Sequence, residues 1–217
     1  MIGIDDEDFV RGKVPMTKRE IRILTLANAN IGVNDYIVDV GAGTGSISIE
    51  AALIATGGHI FALERNSDAI HLIKQNAERF SVKNISIINA EAPDGLHLIP
   101  RIDVAIIGGS GGFLQEILQA IDAKLKTGGR IVMNFITVQS LAMCLNWFKN
   151  HTDYKYSAIQ VQINRLKNLG FYDMAEAINP VHIVTAKKIC QCQMSNLVNF
   201  SDAKSKFTHI IRSFVQD

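Results

Sequence analysis

The fold turns on residues 36–50, YIVDVGAGTGSISIE, where a short β-branched run meets glycines at 41, 43 and 45 and then an apolar helical pattern. A strand that is apolar at nearly every position needs cover on both faces, as in a parallel sheet flanked by helices. Working outward, the alternation repeats. The runs HIFALE, ISIINA, DVAIIG and GRIVMNF follow, and between and after them stand SISIEAALIA, SDAIHLIKQNAERF, GFLQEILQAIDAKLK and TVQSLAMCLNWFKN. Five β-α repeats in succession predict a doubly wound α/β domain of Rossmann-like type. Two later runs, YSAIQVQINRL and NPVHIVTAKK, read as strands that bring a mostly parallel sheet to seven, joined by KNLGFYDMAEAI as a loop.

Two pieces flank this core. An N-terminal helix is expected over residues 17–30, opened by a capping box at Thr17, Lys18, Arg19 and Glu20. The tail from Asn199 sets Phe200, Ala203, Phe207, Ile210, Ile211 and Phe214 on one face of an amphipathic helix. The expected division is a main domain, 1–188, with residues 1–30 as its lid, and a helical extension, 189–217.

Composition narrows the function classes. The 217 residues carry 22 basic and 21 acidic side chains, without the basic excess that nucleic-acid binders usually show. No apolar run approaches the ~18 residues of a membrane span, and the acidic start MIGIDDEDFV has no signal-peptide pattern. A cytoplasmic protein is expected. Cys144, Cys190 and Cys192 are too few for a disulfide framework, and no histidine cluster joins them, so no metal is expected.

In an open α/β sheet, ligands bind beyond the C-terminal ends of the strands, where strand order reverses. Residues following each strand therefore carry the chemistry. After the first, Gly41, Ala42, Gly43, Thr44 and Gly45 read G-x-G-x-G, and Ser46 stands where a dinucleotide fingerprint has its third glycine. A pyrophosphate needs the amides around that glycine. Asp39 suits instead a ligand with a positive ammonium, and the next helix N-terminus suits a carboxylate. S-adenosyl-L-methionine carries both groups. After the second strand, Glu64 can accept from both ribose hydroxyls, with Arg65 beside it; alone it would fit NAD equally. After the third, Glu91 and Ala92 either meet an adenine edge or form a solvated turn ended by Pro93. After the fourth come Gly108, Gly109, Ser110, Gly111 and Gly112. Such a loop cannot clamp a flipped base by stacking. It either lets a large flat substrate approach the methyl donor or is a plain turn with Ser110 near a helix cap.

Taken together, GIDDEDFVRGKVPMTKREIR, VDVGAGTGSISIE, ALERNSDAI, AEAPDGL, IGGSGGFLQEIL and LKTGGRIVMN resemble the decarboxylating cobalt-precorrin-6B methyltransferases of anaerobic cobalamin biosynthesis, over residues 3–187. The resemblance implies a class I methyltransferase that methylates carbon 15 of a cobalt-corrinoid tetrapyrrole and removes carbon dioxide from the acetate at carbon 12. It implies donor contacts from Thr17, the 41–45 loop, Glu64 and Ala92, S-adenosyl-L-homocysteine as product, and a homotetramer. Thr17 has a second role open to it, as the cap of its helix. The electrons left by decarboxylation can enter the conjugated macrocycle, so no nucleophilic residue need be found.

A polycarboxylate substrate needs cations, for which Arg11, Lys13, Lys18, Arg19 and Arg165 are candidates; each fits a solvated surface charge as well. Asn134, ending the fifth strand, either faces the site or satisfies local backbone. His182, within an apolar strand, reads as a core or interface residue. Where the family shows a short glycine-rich turn after Arg165, this chain has LKNLGFYDMAEAINPVHI. Two other functions stay open: methylation of tRNA or protein, and donor binding without catalysis. Room for a broad substrate at Gly109 predicts that Gly109→Val spares donor binding and abolishes turnover.

Overall fold

Residues 2–190 are described in the computed structural model. The chain forms α1 (Arg19–Ala29), β1 (Tyr36–Val40), α2 (Ser46–Ile54), β2 (His59–Glu64), α3 (Ser67–Arg79), β3 (Ile85–Asn89), β4 (Ile102–Ile107), α4 (Leu114–Lys124), β5 (Leu125–Phe135) and α5 (Val138–Lys149). It ends in β6 (Tyr154–Val161), β7 (Asn164–Leu169), β8 (Tyr172–Ala177) and β9 (Val181–Lys188). The main sheet has seven strands in the order β3-β2-β1-β4-β5-β9-β6. β1 to β5 run parallel, and β9 lies antiparallel to both β5 and β6.

The central strands β1 and β4 are buried on both sides, as their composition requires, whereas β3 at the sheet edge is half-buried. Alternate residues along each strand point to opposite faces. Ile37, Val104, Ile106 and Val132 join α1 and α2 through Leu26 and Ala51 on one side. Val38, Val40, Ile107 and Met133 meet Ile117 and Leu118 of α4 and Phe148 of α5 on the other. Strand order reverses between β1 and β4, so the loops after these two strands open a crevice there.

The N-terminal segment is fastened beside that crevice by buried charge. Glu50 of α2 accepts from Gly3 N at 2.6 Å and Ile4 N at 3.2 Å. The fully buried Arg22 of α1 pairs with Glu50 and Asp6, and donates to the carbonyls of Ile4 and Thr17. Asn76 of α3 clasps Val10 through both its backbone groups, at 2.7 and 3.1 Å. Residues 11–18 therefore bridge two anchored ends.

Two expectations fail here. The helix begins at Arg19, with Lys18 as N-cap and no side-chain cap bond. The capping box does not form because the helix starts one residue too late for Thr17 to cap it, and because Glu20 takes Arg165 in a bidentate pair at 3.0 and 2.6 Å. The expected loop between the last strands is instead the β7–β8 hairpin, a separate two-stranded sheet. It carries no apolar alternation because both its faces are exposed. The helical tail expected from Asn199, and Cys192, lie outside the described residues.

Candidate active site

The crevice holds a cavity of about 490 Å³. Asp39, Gly41, Ala42, Gly43 and Thr44 line its floor, Glu64 and Arg65 one side, Glu91 and Ala92 another, and Gly108, Gly109 and Ser110 the wall toward β4. Val14, Pro15, Met16 and Thr17 of the N-terminal segment roof it. Gly45 lies just behind, as the N-cap of α2 with φ +77°. The glycine loop has this shape for steric reasons. A Cβ on Gly41, at φ +71°, would stand 2.9 Å from the backbone of Gly109, and one on Gly43 would stand 3.2 Å from the Pro15 carbonyl oxygen. Only residues without a Cβ let the two loops and the roof close so tightly.

Charge is arranged along this cavity. Asp39 is buried and pairs with no cation among the described residues; its hydrogen bond comes from the Ser48 hydroxyl at 2.5 Å. Burial pushes its carboxyl up to about 6, against the Ser48 bond and with help from the Glu64 charge. Such a group is stabilised by an incoming cation. The Thr44 hydroxyl is buried and has no hydrogen-bond partner among the described residues, beside the uncapped N-terminus of α2. It offers a hydrogen bond where that helix end favours an anion. Glu64 accepts from the amides of Gly43, Arg65 and Asn66, each at 2.9 Å, which holds its carboxylate at the cavity edge. A group with an ammonium, a carboxylate and a diol thus finds a counterpart for each. Glu91 is bonded to Arg65 across the cavity mouth. It must leave that partner to meet an adenine.

A second cavity of about 430 Å³ adjoins the first. Met16, Thr17, Gly108, Gly109, Ser110 and Ile136 line both, so they form the wall between them. Asn134 near the end of β5, Thr137 and Ser140 at the start of α5, and Asn179 just before β9 line the second cavity. Asn134 donates to Thr25 of α1 at 2.9 Å rather than to backbone. Ser110 does not cap α4, whose N-cap is Phe113; its carbonyl accepts from Phe113 N in the preceding turn.

The nominated cations divide. Arg11 and Lys13 are exposed and line neither cavity. Arg165 is committed to Glu20, with Asp6 at 3.6 Å, and its guanidinium holds the Glu20 carboxyl below the usual range. Lys18, named only among the general cations, lines the second cavity. His182 lines neither, and its Nδ1 is buried without a partner among the described residues. Sequence reasoning passed over Val14 to Met16 and Ile136 to Ser140. The rule that favours residues after each strand pointed to Ile136 and Thr137, which follow β5; the roof lies within the expected lid, residues 1–30, but of its residues only Thr17 was singled out for the donor.

Comparison with known proteins gives one consistent picture. A family model described as precorrin methyltransferase domain matches residues 8–188. A relative from Sulfurisphaera tokodaii, named probable cobalt-precorrin-6B C(15)-methyltransferase (decarboxylating), is 40% identical over 190 residues, 86% of this chain and 97% of its own. The Salmonella typhimurium protein of that activity is 37% identical over 184 residues, 84% of this chain and 95% of its own. A crystal structure of precorrin-6y C5,15-methyltransferase from Geobacter metallireducens superposes with a TM-score of 0.81 at 40% identity, covering 86% of this chain and 98% of that one.

Proposed function

The chain belongs to the precorrin methyltransferase family, within the Rossmann-like class I methyltransferases, and from that premise we propose that it methylates carbon 15 of cobalt-precorrin-6B with S-adenosyl-L-methionine while carbon dioxide leaves the acetate at carbon 12. The observation that carries this reading is the pair of adjoining cavities with a glycine-rich wall, one with a counterpart for each polar part of the donor and the other open to a broad acceptor.

Bound in the first cavity, S-adenosyl-L-methionine supplies a methyl group on a positively charged sulfur and leaves as S-adenosyl-L-homocysteine. Asp39 takes its ammonium, Thr44 and the start of α2 its carboxylate, Glu64 its ribose, and Ala92 lets the adenine approach. Thr17 and Gly108 close the donor at the wall. Gly109, which has no side chain, and Ser110 line the wall shared by the two cavities, across which the acceptor would meet the donor methyl. Positioning is the main demand of such a displacement. The same reading places the protein in the cytoplasm as a homo-oligomer, a tetramer by family.

The test is an anaerobic incubation with cobalt-precorrin-6B and S-adenosyl-L-methionine, read by mass spectrometry. A product with one added methyl and one lost carbon dioxide is expected. An unchanged tetrapyrrole beside intact donor binding would overturn the substrate and keep the fold.

A further inference from the structure

The second cavity is almost without charge. Its polar lining consists of hydroxyls and amides, at Thr17, Ser110, Asn134, Thr137, Ser140 and Asn179, and among the described residues Lys18 is its one ionisable side chain. That lysine is also unusual in its helix. The other charged residues in the first turn of α1 all have partners: Arg19 holds Asp5 at 3.1 Å, Glu20 holds Arg165, and Arg22 holds Glu50 and Asp6. Lys18 forms no ion pair with the described residues. It also occupies the N-cap without a cap bond, where a cation opposes the helix dipole and other residue types serve better. A local rule broken with no structural return marks a position kept for something outside the fold.

Resting on the reading that the acceptor is a carboxylate-bearing tetrapyrrole, we propose that the Lys18 ammonium grips a substrate carboxylate that the reaction retains. The departing carboxylate is the wrong partner for it. When the bond to the carboxyl carbon breaks, carbon dioxide leaves and the electron pair passes into the conjugated macrocycle. An ammonium paired with that carboxylate would stabilise the starting anion more than the transition state, and so slow the step. Lys18 instead anchors the rim of the macrocycle, while the neutral part of the cavity surrounds the group that leaves. It is a positioning residue for the acceptor and has no part in donor binding.

Steady-state assays of Lys18→Met and Lys18→Arg test this, with methyl transfer and carbon dioxide release followed separately. Lys18→Met is expected to raise KM for the tetrapyrrole roughly tenfold, the scale of one charge-assisted contact. Both kcat values and KM for S-adenosyl-L-methionine should hold, and Lys18→Arg should restore most of the loss. The gap between wild type and Lys18→Met should narrow as salt is added. An unchanged tetrapyrrole KM, or a fall in carbon dioxide release alone, overturns the proposal. Wild-type turnover reports on the function itself, so failure there is distinct from failure of the variant ratio. The Lys18 side chain makes no ion pair with the described residues, and equal melting temperatures would show that the variants are folded.

Discussion

Gly41 and Gly109 sit on facing loops, yet an added methyl group meets very different surroundings at each. At Gly41 it would press on backbone at 2.9 Å from a φ of +71°; at Gly109 it would meet only the Gly41 Cα, at 3.9 Å. Gly41→Ala should therefore cost about 1–3 kcal/mol in stability and abolish donor binding, as calorimetry and denaturation would show. Gly109→Val should keep the melting temperature and most of the donor affinity while turnover falls on the order of a hundredfold, because its side chain adds bulk to the wall that the two cavities share, where donor and acceptor must approach. Equal loss of binding and turnover in Gly109→Val would make the wall a structural turn. Asp39 gives a second prediction. Its carboxyl is raised to about 6 in the folded protein, above its ordinary 3.8, so its charge costs stability above pH 6 and the cost is relieved as pH falls toward 4. Donor binding has the opposite sign, since the ammonium needs the ionised form: affinity should fall as pH drops below about 6. Asp39→Asn should remove that pH dependence and weaken donor binding by roughly 10- to 100-fold, while raising the melting temperature at pH 8. Asp39 and Glu64 were legible as candidates because each lies at or near the C-terminal end of an apolar strand, where the sheet opens onto the cavity. The partners of Arg165 and Glu20 were not, because 145 positions separate them.

At the scale of elements, the buried knot of Arg22, Glu50 and Asp6 joins the N-terminal segment, α1 and α2. Glu50→Gln leaves Arg22 buried beside a neutral group, and removing one partner of such a pair costs ~3–5 kcal/mol. Urea denaturation should show that loss. Because Glu50 also holds Gly3 and Ile4, the cavity roof should loosen with it, and KM for the donor should rise in the surviving fraction. A donor KM equal to wild type would mean that the roof is positioned by Asn76 alone. Four of the five expected repeats of strand and helix could be read from the chain because those helices each bury an apolar face; β3 passes to β4 through only a short 3-10 turn, Asp94–Leu98. The capping box could not be refuted from sequence: a side-chain cap and an ion pair compete for Glu20, and the winning partner comes from β7. The hairpin escaped notice for the converse reason. NRLKNL and YDMAEA bury nothing in this chain, so no periodicity records them.

That exposure matters for the whole molecule. Leu166, Leu169, Phe171, Tyr172 and Met174 stand out on β7, β8 and their turn, with Phe171 fully exposed at 102% and Tyr172 at 75%. An isolated two-stranded hairpin is marginal in water, and a monomer rarely presents so many large apolar groups together. Among the described residues β6 is an edge of the main sheet and leaves Ile159 exposed. These groups are accounted for if copies of the chain meet through this end, as the proposed homo-oligomer requires. Phe171 is fully exposed among the described residues, so Phe171→Asp should leave circular dichroism and donor affinity unchanged. Light scattering should then show the assembly reduced toward single chains of 23.9 kDa. Arg165 ties this hairpin to Glu20, two residues from Lys18 in the acceptor cavity, so dissociation should also raise KM for the tetrapyrrole without touching that for the donor. A wild-type protein already monomeric at micromolar concentration, or a variant of unchanged mass, would send the apolar hairpin to a different partner.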